Sequence, residues 1–307
     1  MKRSNTLLLG GLLLATTLQA LAEDSSCNTV RMADPGWSDI AVTNSVTAFL
    51  LEGMGYQARI ETLAVPIIFG GLEAGLVDVF LGNWMPAQQS YYDKFVANGQ
   101  VVKLAQNLEG TEYTLAVPSY VWDAGVHNFA DLSKFADKFN KKLYGIGSGA
   151  PANQSLQQII GKNEFDLGQW KLVESSEQAM LSEVGRAVKR QRFIAFLGWT
   201  PHPMNAQFDM HYLKGGEAYF GASGTVNTLT RKGYAETCPN VNKLLSNLRF
   251  TQAMENGIMG QVADKKGSTD KAVKAWITAN PQVLDQWLSG VKTKDGADAR
   301  PAVIAQL

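Results

Sequence analysis

Charge imbalance is missing from this chain of 307 residues: 28 Lys and Arg stand against 28 Asp and Glu. A neutral surface excludes nucleic acid as a partner, because neutralising phosphates needs a basic face. It also supplies no polybasic patch for a membrane surface. Histidine is scarce. His127, His202 and His211 have no zinc-type spacing, and no cluster of cysteines or carboxylates accompanies them, so no metal site is expected. The one glycine-dense stretch, Gly147-Ser148-Gly149-Ala150-Pro151, lacks the Lys-Ser/Thr ending of a phosphate-binding loop and the frame of a nucleophile elbow. No cofactor is implied. Low-complexity tracts are absent, and beyond the first residues no apolar run is long enough to span a bilayer.

The first residues carry an export signature. Lys2 and Arg3 precede a short apolar run at 7–14, and Ala20-Leu21-Ala22 is a small-x-small cleavage site. The mature chain is expected to begin at Glu23 and to lie in the periplasm. Without Lys2 and Arg3 the balance is 26 basic to 28 acidic residues, or about −2. Only two cysteines occur, Cys27 and Cys238. In an exported chain an even count reads as one disulfide, with two free buried thiols as the alternative. A lipid-modified Cys27 is disfavoured by the preceding Asp24-Ser25-Ser26.

Strand and helix patterns alternate. Residues 30–33 form a strand candidate running into the turn Asp34-Pro35-Gly36. A helix follows with Ser38 as N-cap, Val42, Val46, Phe49 and Leu50 on one face, and Gly55 as its stop. Residues 58–62 read as a strand, Pro66 opens a second helix, and residues 77–81 form a third strand with Asp78 as its only charge. This β-α-β-α-β rhythm predicts a parallel sheet with right-handed crossovers and a ligand at the strands' carboxyl ends. A second unit repeats the theme: a helical stretch at 129–139, strands at 143–146 and 193–197, and helices carrying Leu156, Ile159 and Ile160 and spanning 175–190. Residues 225–230 look like a strand returning to the first unit, with a helical remainder. The expected division is signal peptide 1–22, lobe I 23–114, lobe II 115–220 and lobe I resumed 221–307, with shared hinge strands in place of a tether. A monomer is expected.

Tryptophan stands out at strand tips. Trp37 follows the first strand, with Asp39 two residues on. Phe80-Leu81-Gly82-Asn83-Trp84-Met85-Pro86 and Phe196-Leu197-Gly198-Trp199-Thr200-Pro201 echo each other, each strand, glycine, tryptophan and proline. Taken singly, each tryptophan could also be core packing. Trp122, Trp170, Trp276 and Trp287 read as ordinary packing.

The segments Arg31-Met32-Ala33-Asp34-Pro35-Gly36-Trp37-Ser38-Asp39-Ile40, Leu63-Ala64-Val65-Pro66-Ile67-Ile68-Phe69-Gly70-Gly71 and Val79-Phe80-Leu81-Gly82-Asn83-Trp84-Met85-Pro86 resemble periplasmic choline-binding proteins of ABC transporters. These form part of the glycine betaine/choline branch of type II periplasmic binding proteins. The resemblance runs through nearly the whole mature chain. It implies an α/β fold of two Rossmann-like lobes joined by two hinge strands, and delivery of ligand to a membrane permease. It also implies a four-ring cage from Trp37, Trp84, Tyr113 and Trp199, with Asp39 beside it, Asn153 holding the alcohol end, and a Cys27–Cys238 disulfide.

The physics of such a ligand fits rings. A quaternary ammonium cannot donate a hydrogen bond, and each ring face contributes roughly 0.5–2 kcal/mol. An ionised Asp39 would favour choline, or acetylcholine, over carboxylate-ended glycine betaine or carnitine. Betaine stays the alternative because amides of residues 147–150 could serve a carboxylate. An enzyme acting on choline esters would need a nucleophile and a base, and only Asp39 is at hand. A ligand-presenting partner of a chemoreceptor is a third reading.

Overall fold

The computed structural model of the chain describes residues 25–265 and 267–307; the expected signal peptide and its cleavage site lie outside them. Nine strands occur among these residues: β1 (Thr29–Asp34), β2 (Gln57–Thr62), β3 (Val79–Met85), β4 (Val101–Pro118), β5 (Lys142–Tyr144), β6 (Lys171–Val173), β7 (Phe196–Thr200), β8 (Met210–Tyr212) and β9 (Gly224–Arg231). They line up in the order β2-β1-β3-β9-β4-β7-β5-β6, with β8 also on β4. Pairs β1–β2, β1–β3, β5–β6 and β5–β7 are parallel, as the alternating pattern predicts, while β9 and β4 run antiparallel to their neighbours. This is a mixed α/β architecture, parallel at both ends of the sheet and antiparallel in its middle.

The long strand β4 organises the molecule. Its first part, Val101 to Thr111, pairs with β9 and so with the β2-β1-β3 side. From Glu112 onward it pairs with β7 and then β8. One strand therefore belongs to both lobes, and the cleft lies where it changes partners.

Several local readings shift. The helix Ser38–Gly53 has Trp37, not Ser38, as its N-cap. Its stop is as expected, with Met54 as C-cap and Gly55 at φ 89°, the left-handed region that glycine adopts freely. The stretch 129–139 is a short helix, Phe129–Leu132, followed by a 3-10 turn, Ser133–Phe135. The third strand and the strand before Trp199 both start later and run further, so Trp84 and Trp199 lie within β3 and β7 rather than beyond their ends. Gly82 and Gly198 mislead here, because glycine reads as a breaker. In the fold both answer to close packing: an added Cβ would lie 2.7 Å from the Phe80 ring at Gly82 and 2.8 Å from the Tyr212 ring at Gly198.

Asp78, one residue before β3, is satisfied rather than strained. It accepts from the Arg31 backbone and guanidinium at 2.7–2.9 Å and from Arg231 Nε at 2.8 Å. Burial opposes its ionisation, yet the two guanidinium groups hold its carboxyl below the usual carboxylate range. The cluster ties β1 and β9 to the start of β3.

Cys27 and Cys238 form a disulfide with a Cα–Cα distance of 5.6 Å, both fully buried. It joins the turn before β1 to the helical segment after β9 across 211 residues of sequence. Closing so long a loop restricts the unfolded chain by about 3–5 kcal/mol on entropy models. The double variant Cys27→Ser, Cys238→Ser should lose stability on that scale in denaturant titration while the second lobe's cavity wall stays intact. An unchanged midpoint would show that the bridge contributes nothing to folding.

Candidate functional site

The Asp34-Pro35-Gly36 turn carries Trp37 to the cleft. Gly36 sits at φ 82° and donates its N–H to Asp34 Oδ1 at 2.7 Å, a side-chain turn that Asp forms readily. Trp84 lies on β3 opposite Val226 of β9. Its strand end is fixed by a buried amide network. Asn83 donates to Gln88 at 3.1 Å, Gln88 to the Gly82 carbonyl at 2.7 Å, and Asn227 to Asn83 at 3.1 Å. Tyr113 on β4 and Trp199 on β7 are directly opposed across the antiparallel pair, so their side chains rise from the same face as neighbours. Phe220 meets Tyr113 edge-on at 5.4 Å, and His202 meets Trp199 edge-on at 4.7 Å. Met85–Pro86 and Thr200–Pro201, which end the two echoed motifs, are both cis.

Four rings from four separate segments thus converge. Trp37, Trp84, Tyr113 and Trp199 line one cavity of about 40 Å³, larger than the 10–15 Å³ or so that one water needs. Ala87, Ile146, Pro151 and Ala152 complete a lining that is almost wholly apolar; these four carried no signal in the sequence. No Lys, Arg or His side chain is among the lining residues. Trp170 and Trp287 are buried elsewhere in the core.

Asp39 stands behind this wall. It is 1% exposed and accepts the Trp84 indole N–H through Oδ2 at 3.0 Å. Its Oδ1 finds no hydrogen-bond partner among the described residues. Burial, then the nearby Glu177 carboxylate, pushes its pKa up to about 8, against the Trp84 hydrogen bond. The carboxyl is therefore mostly neutral at pH 7, where the sequence reading has it ionised. Glu255, also fully buried, is raised well above its ordinary value by burial and by Asp39. The Tyr113 hydroxyl is likewise buried without a partner of normal geometry among the described residues.

Asn153 is not on the cavity wall. It is fully buried, and its Oδ1 accepts the Ile146 N–H at 3.0 Å. Its Nδ2 donates to the carbonyls of Ile146 and Gly147 and to Glu174 at 2.8–3.1 Å. Both ends of the amide are engaged, so Asn153 braces the loop that presents Pro151 and Ala152.

An apolar, ring-walled cavity between two α/β lobes, backed by a buried carboxyl, is the geometry of a two-lobed binding protein for a small ligand. Residues 28–279 match the family of substrate-binding domains of ABC-type glycine betaine transport systems, and the chain belongs to that family. An ABC-transporter choline-binding protein solved with choline is similar, at 43% identity and a TM-score of 0.91, covering 92% of this chain and 99% of that one. A lactococcal protein solved with glycine betaine is 26% identical with a TM-score of 0.77, over 84% of this chain and 98% of its own. The glycine betaine/carnitine transport binding protein GbuC of Listeria monocytogenes is 31% identical over 169 residues, 55% of this chain and 56% of that relative. The family's members are transport binding proteins that work outside the cytoplasm.

The raised Asp39 sets a sign for pH. The folded state holds this proton more tightly than the unfolded chain, whose ordinary value is 3.8. The resulting stability is fully present below about pH 4 and is lost as pH rises through about 8. Between pH 6 and 9 the ligand-free protein should weaken, and Asp39→Asn should flatten that slope. A slope unchanged by Asp39→Asn would mean that Asp39 is ionised throughout.

Proposed function

We propose that this protein is the binding component of an ABC importer that captures choline in the four-ring cavity and delivers it to the membrane permease. The observation that carries this reading is the convergence of Trp37, Trp84, Tyr113 and Trp199 on one apolar space. A trimethylammonium head has no N–H to donate. Such walls cost it few hydrogen bonds and return ring–cation attraction that desolvation strengthens. Four faces at roughly 0.5–2 kcal/mol each reach several kcal/mol, a large share of the roughly 8 kcal/mol that micromolar affinity requires.

The other end of the ligand decides between choline and betaine. A carboxylate would need a basic side chain or free amides. The lining supplies no basic group. In the loop that could offer amides, Ala150 N–H is spent on the Gly147 carbonyl at 3.0 Å, and residues 147–150 are not among those lining the cavity. A cation in the cage instead draws a charge onto Asp39, which the Trp84 indole links to the ring wall. Choline uptake should therefore release a fraction of a proton near neutral pH.

The mature protein, on this reading, begins at Glu23 after cleavage behind Ala22 and works in the periplasm. Its lobes divide near 114/115 and 220/221, a placement supported by the partner change on β4 just upstream.

Calorimetry against choline, glycine betaine and carnitine tests the proposal. Choline should bind with one-to-one stoichiometry and be preferred. Trp84→Ala or Trp199→Ala should each weaken it by about 1–3 kcal/mol. Unchanged affinity in both variants would remove the cage. Asp39→Asn should weaken choline more than betaine, and an equal effect on both would remove the reason for preferring choline.

A further inference from the structure

Glu177 opens the helix Glu177–Lys189 on the β5-β6-β7 side of the cleft, yet its carboxylate crosses to the other lobe. Oε2 accepts the backbone N–H of Ser38 at 3.1 Å, and Oε1 accepts the Ser38 hydroxyl. Ser38 is the first residue of the helix that Trp37 caps, so a carboxylate there satisfies an orphan amide and complements the helix dipole. Oε1 also lies 3.0 Å from His202 Nε2. His202 Nδ1 accepts the Met204 N–H at 3.0 Å, so that nitrogen is unprotonated. The ring proton then sits on Nε2 and is donated to Glu177. The side chains of Glu177 and His202 are 1% and 2% exposed. Neither lines the ring cavity, but each backs one of its walls: Ser38 follows Trp37 in sequence, and His202 meets the Trp199 ring edge-on.

We infer that Glu177, aimed by His202, is the positioning residue that fastens the two lobes over bound ligand. A single chain of contacts runs from Trp37 through Ser38, Glu177 and His202 to Trp199. The bond that shuts the cleft and the placing of two cage rings are thus one event. When the lobes part, the Ser38 contacts exchange for water and the Glu177–His202 pair stays within its own lobe. Closure is stabilised by charge-assisted hydrogen bonds formed in an environment from which water has been excluded, so its loss should appear in how fast ligand leaves.

The inference rests on the ligand reading above, and the test separates the two. Stopped-flow fluorescence should be run on the full mature protein with choline, and with glycine betaine in parallel. Glu177→Gln keeps the shape but offers one acceptor oxygen to the donors of Ser38 and His202, and turns an NH₂ toward the other. Ligand dissociation should quicken by about tenfold or more, with association within about twofold and the melting temperature of the ligand-free protein unchanged. Ser38→Ala should quicken dissociation less, and should add little in the Glu177→Gln background, because both changes break the same contact. Unaltered dissociation in Glu177→Gln, or a lowered melting temperature with the affinity loss confined to association, would overturn the inference. If the wild type holds betaine and not choline, the choline reading fails while the latch is still judged on betaine release.

Discussion

On the proposed reading, the site depends on the attraction between aromatic faces and a charge that cannot be neutralised. No local segment can build such a site. An indole or a phenol presents one face, and a tetrahedral cation needs several faces pointing inward from different directions. The fold answers by drawing one ring from a helix cap, one from β3 and two from the opposed pair β4–β7. Because β4 pairs with both halves of the sheet, motion of one lobe against the other moves rings relative to one another. On the proposed reading, binding and closure are the same geometric event.

Charge is kept in a second layer. The cage wall itself is carbon, which suits the methyl groups of a quaternary amine. Behind it lies a set of buried carboxyls, Asp39, Glu177 and Glu255, an expensive arrangement without a cation nearby. In the ligand-free site protonation relieves part of that cost, as the upward displacement of Asp39 shows. A bound cation offers a different relief. On the proposed reading, a cation that draws a charge onto Asp39 makes the second layer disfavour a ligand that brings its own carboxylate.

Much of this was legible in the sequence, though unevenly. Trp37, Trp84 and Trp199 announced themselves by position, next to turn residues and prolines in repeated contexts. Tyr113 had no local signal and entered only through family resemblance, because its place is set by register opposite Trp199 across β4–β7. Strand limits were misjudged at Gly82 and Gly198, where tertiary packing rather than a turn explains the glycine. Asn153 enters through the resemblance as a ligand contact, and its place bracing the loop of Pro151 and Ala152 depends on partners six to 21 residues away that no local pattern shows. Glu177 was illegible. An acidic residue in the first turn of an amphipathic helix looks like dipole complementation at the surface, and its burial arises only from docking against the other lobe. His202 and Glu255 were hidden too, because their burial comes from packing between elements distant in sequence.

The most direct measurement is a crystal structure of the mature protein grown with choline. The account predicts the ligand nitrogen within about 6 Å of the ring centroids of Trp37, Trp84, Tyr113 and Trp199 together, with the lobes closed and no basic side chain in contact. Choline seated outside that cavity, or touching the rings of one lobe alone in a closed protein, would contradict it.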